Sequence, residues 1–347
     1  MKEFFPALWS NDGLRRQVGE SILHGGSSHA YLIQGPSGTG KRLFAHSMAA
    51  ALCCEAQKDP SAPLPCGECR SCRRLLAGET PDLMTIDRGE KATIGVDAVR
   101  EMKEDIYLSP TELDRKIYII NEADKMTVNA QNALLIMLEE PPTEVAIFLL
   151  CEDASVMLTT VRSRVRTLRM ASFDHELLSR FCAEKSPAAH RMKESDPEKF
   201  ADLIAAAEGS PGRALSLFTT REGAALLDLR GDVTELVDCL NPRTTFSKLH
   251  TAVSALPSTK RPDLAEALRL FSAALRDLIL LKRDENVPLC FFGSRETALA
   301  KSECVGLRCL FAATDAVDKA TADLARNANI SVVLAALAED LRQAHTK

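Results

Sequence analysis

The chain has 347 residues, 46% hydrophobic and 26% charged, with 43 Lys plus Arg against 48 Asp plus Glu and a net charge of -5. A length of that order predicts two or three domains, and the near-balanced charge excludes a polybasic nucleic-acid coat and a chain held open by self-repulsion. Apolar runs such as residues 145–151 fall far short of the ~20 residues that span a bilayer, and residues 1–20 lack the apolar stretch of a signal peptide, so a cytoplasmic location is expected.

Up to about residue 170, short strand-like apolar runs alternate with helical patterns. The runs are residues 30–34, 83–87, 116–120, 145–150 and 166–170. Such alternation predicts an α/β domain with a parallel sheet covered on both faces. From about 171 the strands stop. Phe200, Leu203, Ile204 and Ala207 follow the i, i+3, i+4, i+7 template of an amphipathic helix, as do Leu264, Leu268, Phe271, Leu275 and Leu278, and then Ile330, Val333, Leu334, Leu337 and Leu341. The breaker cluster Gly209-Ser210-Pro211-Gly212 and the segment 219–223 divide this all-α half. The expected organisation is 1–170, a small helical domain at 171–220 and a larger one at 221–347.

The first run leads into Gly35-Pro36-Ser37-Gly38-Thr39-Gly40-Lys41, followed by a helical pattern containing Leu43, Phe44 and Met48. Strand, Gly-rich loop and helix form the phosphate-loop context. Glycines let backbone N–H groups turn toward phosphates, the helix N-terminus adds a favourable dipole, and Lys41 would reach the outer phosphates. The bland alternative is a Gly-rich turn of any α/β protein. The residue after the lysine is ordinarily Ser or Thr, whose hydroxyl ligates magnesium; here it is Arg42, which has no lone pair for a metal.

The eleven cysteines are an odd number at uneven spacing, which argues against a secreted disulfide framework. Cys66, Cys69 and Cys72 form a C-x2-C-x2-C run, with Cys53 and Cys54 upstream across the loop PSAPLP at residues 60–65. Four thiolates in a tetrahedral cage are a structural zinc signature. Either upstream cysteine could be the fourth ligand, and a disulfide is the competing reading. Cys151, Cys182, Cys239 and Cys290 show no ligand spacing, and Cys304 and Cys309 read as small core residues.

Residues 117–124 read IYIINEAD. In a Walker-B strand the apolar run is buried in the sheet and ends on one acid that orients magnesium and a second that polarises water. Asn121 stands where the first acid belongs, and Glu122 remains. Arg42 and Asn121 thus weaken the same function independently. Nucleotide, as ATP or ADP, is expected to bind weakly or not at all, and Mg2+ loses two ordinary ligands.

The stretch NAQNALLIMLEEPP at residues 129–142, with HAYLIQGPSGTGK upstream and Thr160-Val161-Arg162-Ser163-Arg164 downstream, resembles the bacterial clamp-loader AAA+ family of the DNA polymerase III system. The resemblance implies a RecA-like AAA+ P-loop domain with an inserted zinc module at about residues 53–73, a small helical lid and a C-terminal helical collar. It also implies a five-member ring with gamma, tau and delta subunits. That ring uses ATP to place the sliding clamp on primer–template DNA during replication. Members with altered ATP motifs act as the stator, the delta-prime type, and Arg42 and Asn121 fit that branch. Cys151-Glu152-Asp153, where ATPases of the family carry a Thr or Asn sensor, departs in the same direction. The family's four-cysteine zinc module matches ALCCE and PCGECRSC, with Cys54 preferred over Cys53 beside Cys66, Cys69 and Cys72. Ser163-Arg164-Val165 matches the family motif whose arginine reaches a neighbour's γ-phosphate, against the plainer reading of a structural arginine in a basic strand. Arg213 matches the lid arginine, with Ser210 as helix N-cap and Pro211 at the first helical position. The rival functions are an ATP-hydrolysing gamma/tau-type subunit and a stand-alone P-loop phosphotransferase.

Overall fold

The computed structural model describes residues 2–287 and 289–345, the last without its side chain. The chain divides into two compact units, Met1–Phe173 and Asp174–Lys347.

The first unit runs α1 (Asp12–Leu23), β1 (Ala30–Gln34), α2 (Lys41–Leu52), α3 (Arg70–Ala77), β2 (Leu83–Ile86), α4 (Val96–Asp105), β3 (Lys116–Ile120), α5 (Val128–Glu139), β4 (Val145–Cys151), α6 (Thr159–Arg162) and β5 (Arg166–Arg169). The five strands form one sheet in the order β2-β3-β4-β1-β5, and every pairing is parallel. Buried on both faces, the strands read as continuous apolar runs, yet their alternate residues serve different cores. Tyr31 and Ile33, Ile117 and Ile119, and Ala146, Phe148 and Leu150 pack with Phe44 and Met48 of α2 and Leu75 of α3. Ala30 and Leu32, Tyr118 and Ile120, and Ile147 and Leu149 pack with Val99 and Met102 of α4 and Leu134 and Met137 of α5. The Tyr31 and Phe148 rings stack across adjacent strands with centroids 5.6 Å apart.

The loop leading into β3 is fixed by one carboxylate. Asp82, 2% exposed, accepts hydrogen bonds from the backbone N–H groups of Thr111 (2.7 Å), Glu112 (2.7 Å) and Leu113 (2.8 Å). Burial alone would raise its pKa, but these three amides stabilise the carboxylate and hold it below its ordinary value. Asp82→Ala strands three donors, so denaturant unfolding should show a loss of about 2–4 kcal/mol. Because the folded pKa is depressed, the carboxylate's contribution is present above the ordinary Asp range and fades as pH falls through the folded value. A loss under ~0.5 kcal/mol would contradict this role.

The second unit is helical throughout its described residues: α7 (His175–Lys185), α8 (Pro187–Ser195), α9 (Pro197–Ala206), α10 (Pro211–Thr219), α11 (Arg221–Asp238), α12 (Phe246–Ala255), α13 (Arg261–Leu281), α14 (Arg295–Cys304), α15 (Leu307–Ala325) and α16 (Ile330–His345). Three successive helices start alike: Ser186, Asp196 and Ser210 accept a capping bond from a first-turn amide, and Pro187, Pro197 and Pro211 follow them. The longest helix, α13, buries Leu264, Leu268, Phe271, Leu275 and Leu278, the stripe expected from spacing. Among the described residues no helix is long and apolar enough to cross a membrane.

Candidate functional site

The phosphate loop joins β1 to α2. Gly38 (φ 69°) and Gly40 (φ 92°) take up the left-handed conformation that the turn requires. A Cβ on Gly35 would lie 2.7 Å from the Met170 carbonyl oxygen, so only glycine fits there. Pro36, Ser37 and Gly38 are exposed at the loop tip, whereas Thr39 is buried and donates its hydroxyl to the Pro36 carbonyl at 2.9 Å. Gly40 caps α2 without a side-chain acceptor, leaving first-turn N–H groups for an anion. Lys41 folds back over the loop, its Nζ donating to the carbonyls of Gly35 (2.7 Å) and Pro36 (2.8 Å). Burial lowers the Lys41 pKa, and the charges of Glu152 and Asp124 act against that shift. Arg42 is exposed.

Between β1 and β3 lies β4, so the loop and the altered acidic motif approach from two sides of the tip of β4. That tip is Cys151, fully buried, whose thiol burial pushes up to about 12. At the end of β3, Asn121 donates from Nδ2 to Asp87 Oδ1 at 2.6 Å. Glu122 adopts a left-handed backbone (φ 48°) and pairs with Arg88 at 2.7 Å. The one acid left in the motif is therefore already engaged by a guanidinium. Sequence reasoning missed both partners. Asp87 closed an expected strand and Arg88 followed it, with no local signal that either would meet residues 121–122.

Arg164 follows α6 and is half-exposed. Its Nη2 lies 2.6 Å from Glu139 Oε1, and its Nη1 donates to the Thr160 carbonyl at 2.9 Å. Arg213 sits in the second unit, in the first turn of α10, where the Ser210 hydroxyl accepts from its backbone N–H at 3.2 Å. Its guanidinium faces Glu266 (3.4 Å) and Glu208 (4.0 Å), which also bind Arg269. These two acidic residues, like Glu139, had no partner assigned from sequence.

The structure gathers Cys54, Cys66, Cys69 and Cys72, with all four sulfur atoms within 4.8 Å of one another. Cys53 is not in that group. It closes α2, is 3% exposed, and burial pushes its thiol up to about 12. Cys69 caps α3, and the turns around it aim backbone N–H groups at sulfur. The Cys69 amide donates to Cys66 Sγ and the Cys72 amide to Cys69 Sγ, each at 3.4 Å. Burial raises the Cys66 thiol, but the amide bonds from Cys69 and Glu68 prevail and bring it to about 7. A tetrahedral site with metal–sulfur bonds of ~2.3 Å needs sulfur atoms ~3.8 Å apart. Cys66 Sγ and Cys72 Sγ are separated by 3.8 Å, so the donor set fits a structural metal and leaves no position open. The chain's beginning secures this module: Leu64 exchanges backbone hydrogen bonds with Glu3 and Phe5, and Lys2 Nζ donates to the Gln57 and Asp59 carbonyls.

A parallel sheet with β4 between β1 and β3, entered by a Gly-rich loop, defines a P-loop α/β domain, here with a four-cysteine insertion. A family model described as "DNA polymerase III, delta subunit" matches residues 11–174. The chain is 33% identical over 239 residues to the DNA polymerase III delta-prime subunit of Pseudomonas aeruginosa, covering 68% of this chain and 66% of that one. It is 32% identical over 247 residues to the Escherichia coli delta-prime subunit, covering 68% and 71%. A Bacillus subtilis tau subunit is 27% identical over 275 residues, covering 78% of this chain and 46% of the relative. The chain belongs to the delta-prime family of DNA polymerase III clamp-loader subunits.

Proposed function

We propose that the chain is the stator of a DNA polymerase III clamp loader: a subunit that hydrolyses little or no ATP itself and offers Arg164 to a neighbour's nucleotide. The observation that carries this reading is an asymmetry between two sites on one domain. In its own site Arg42 replaces the magnesium-binding hydroxyl, Asn121 replaces an acid and is bonded to Asp87, and Glu122 is paired with Arg88. Arg164, by contrast, keeps the guanidinium its role needs and stands half-exposed at the domain surface, paired there with Glu139.

Ser37, Gly38, Thr39, Gly40 and Lys41 supply the backbone donors, and Lys41 the ammonium, for the phosphates of ATP or ADP, while Gly35, whose N–H goes to the Cys151 carbonyl, and Pro36, which has none, shape the loop. Arg42 adds positive charge without metal coordination. Arg213, the lid arginine of the family resemblance, is engaged by Glu266 and Glu208. Cys54, Cys66, Cys69 and Cys72 would hold Zn2+, which when bound cross-links the end of α2 to α3; it takes no part in chemistry. Residues 171–220 act as the lid and 221–347 as the collar that meets other subunits. The partners are gamma or tau and delta in a five-member ring in the cytoplasm, with sliding clamp and primer–template DNA reached through the assembly. A gamma/tau-type ATPase role is disfavoured by the loss of both magnesium ligands, and no substrate-binding motif in the sequence supports a phosphotransferase.

Affinity purification of the full chain from a mixture of clamp-loader subunits tests the assignment. Retention of gamma or tau together with delta, in a complex stable to gel filtration, is expected. Failure to retain gamma or tau would refute it.

A further inference from the structure

We infer that Glu139 is a charge latch on Arg164, occupying the guanidinium until a nucleotide phosphate from a neighbouring subunit displaces it. The inference rests on the reading of Arg164 as a residue that acts across a subunit boundary.

The geometry shows how the latch is built. Glu139 is the last residue of α5, followed by Glu140 and the breaker pair Pro141-Pro142. The end of that helix is pinned to the sheet, because His29 Nε2 lies 3.1 Å from the Leu138 carbonyl oxygen. The same helix positions the segment that carries Arg164. Gln131, 3% exposed, accepts from the Leu158 amide at 2.8 Å and donates to the Met126 carbonyl at 3.2 Å, so α6 starts from a point fixed on α5. One rigid helix therefore sets both ends of the Glu139–Arg164 pair.

With Glu139 on Nη2 and Thr160 on Nη1, both terminal nitrogens of the guanidinium are engaged and its charge is neutralised at 2.6 Å. A phosphate approaching this pair meets the Glu139 carboxylate as well as the arginine. The side chains are 35% and 47% exposed, and ion pairs of such exposure are weak. A terminal phosphate carries more negative charge than a carboxylate and takes two parallel N–H bonds from one guanidinium. It therefore wins Arg164 when it is delivered in register, while a partly assembled ring leaves the arginine held. Glu139 touches neither substrate nor reacting atoms in this scheme; it is a positioning residue acting through Arg164.

The test uses the loader reconstituted from ATP-competent subunits and this full chain as wild type, Glu139→Gln, Arg164→Ala or the double variant, each checked for assembly by gel filtration. Competition predicts that Glu139→Gln lowers the KM for ATP about threefold or more with kcat little changed, and that added salt narrows the gap between it and wild type. The double variant should match Arg164→Ala alone. If Glu139→Gln reduces kcat as Arg164→Ala does, Glu139 orients the arginine for catalysis and the latch is overturned. An unchanged KM in Glu139→Gln, with Arg164→Ala impaired, overturns the latch and leaves the proposed function standing. Unimpaired hydrolysis in Arg164→Ala removes both.

Discussion

Cys69→Ser should abolish stoichiometric zinc and lower the unfolding free energy of the protein by at least ~3 kcal/mol. Structural zinc in small finger peptides is worth ~10–16 kcal/mol of apparent binding energy, while an entire domain is stable by only ~5–15 kcal/mol. The module here has other support. Leu64, Cys72 and Leu75 are fully buried, and the backbone of Glu3 and Phe5 pairs with Leu64. Only part of the zinc energy is therefore expected to appear on removal, yet a third of it is a large share of the whole. Cys69 has two tasks, since its sulfur belongs to the cluster and also accepts the Cys72 amide as the N-cap of α3. Cys53→Ser is the control: that sulfur lies outside the cluster, so the variant should retain one zinc per chain. Elemental analysis with denaturant unfolding, with and without a strong chelator, reads both effects. Zinc-free wild-type protein, or a Cys69→Ser variant of unchanged stability, would contradict the assignment.

The sheet was largely legible in the sequence, and for a physical reason. Strands buried on two faces must be apolar almost without interruption, so each of the five runs marked a strand to within one residue at its end. The loop motifs carry their own short-range logic, and the cap-and-proline start of α10 came out as expected. The fourth cysteine was harder. Cys53 is the C-cap of α2 and Cys54 lies one residue beyond, where the chain leaves the helix, and the spacing alone does not set which of the two turns toward Cys66. The ion pairs were not legible at all. Arg88 and Glu122 lie 34 residues apart, and only the β2-β3 pairing brings them together. Glu139 and Arg164 meet only because the α6 segment runs back along α5, from Gln131 near its start to Glu139 at its end. Such pairs decide what the motif residues are free to do, and they belong to the tertiary structure rather than to any local pattern.

Arg164→Ala should produce the largest functional effect of any single change. A guanidinium supplied to a phosphoryl-transfer site stabilises charge that spreads over the transferring group, worth roughly 10³–10⁵ in rate in other enzymes. Arg164 is suited to that task because it is half-exposed and its present partners, Glu139 and the Thr160 carbonyl, lie on the surface of the same domain. Truncation removes a partly exposed ion pair worth about 0–1 kcal/mol, so folding and ring assembly should survive.

As a stator, this chain would lend chemistry to a neighbour while performing little of its own. Single-turnover ATP hydrolysis tests it, with the isolated chain compared with the assembled loader carrying either wild-type chain or Arg164→Ala. Background hydrolysis by the chain alone is expected. The loader with Arg164→Ala should assemble normally but hydrolyse ATP ~10³-fold more slowly at the site beside this subunit. Rapid turnover by the isolated chain, or undiminished hydrolysis at every site of the Arg164→Ala loader, would contradict it.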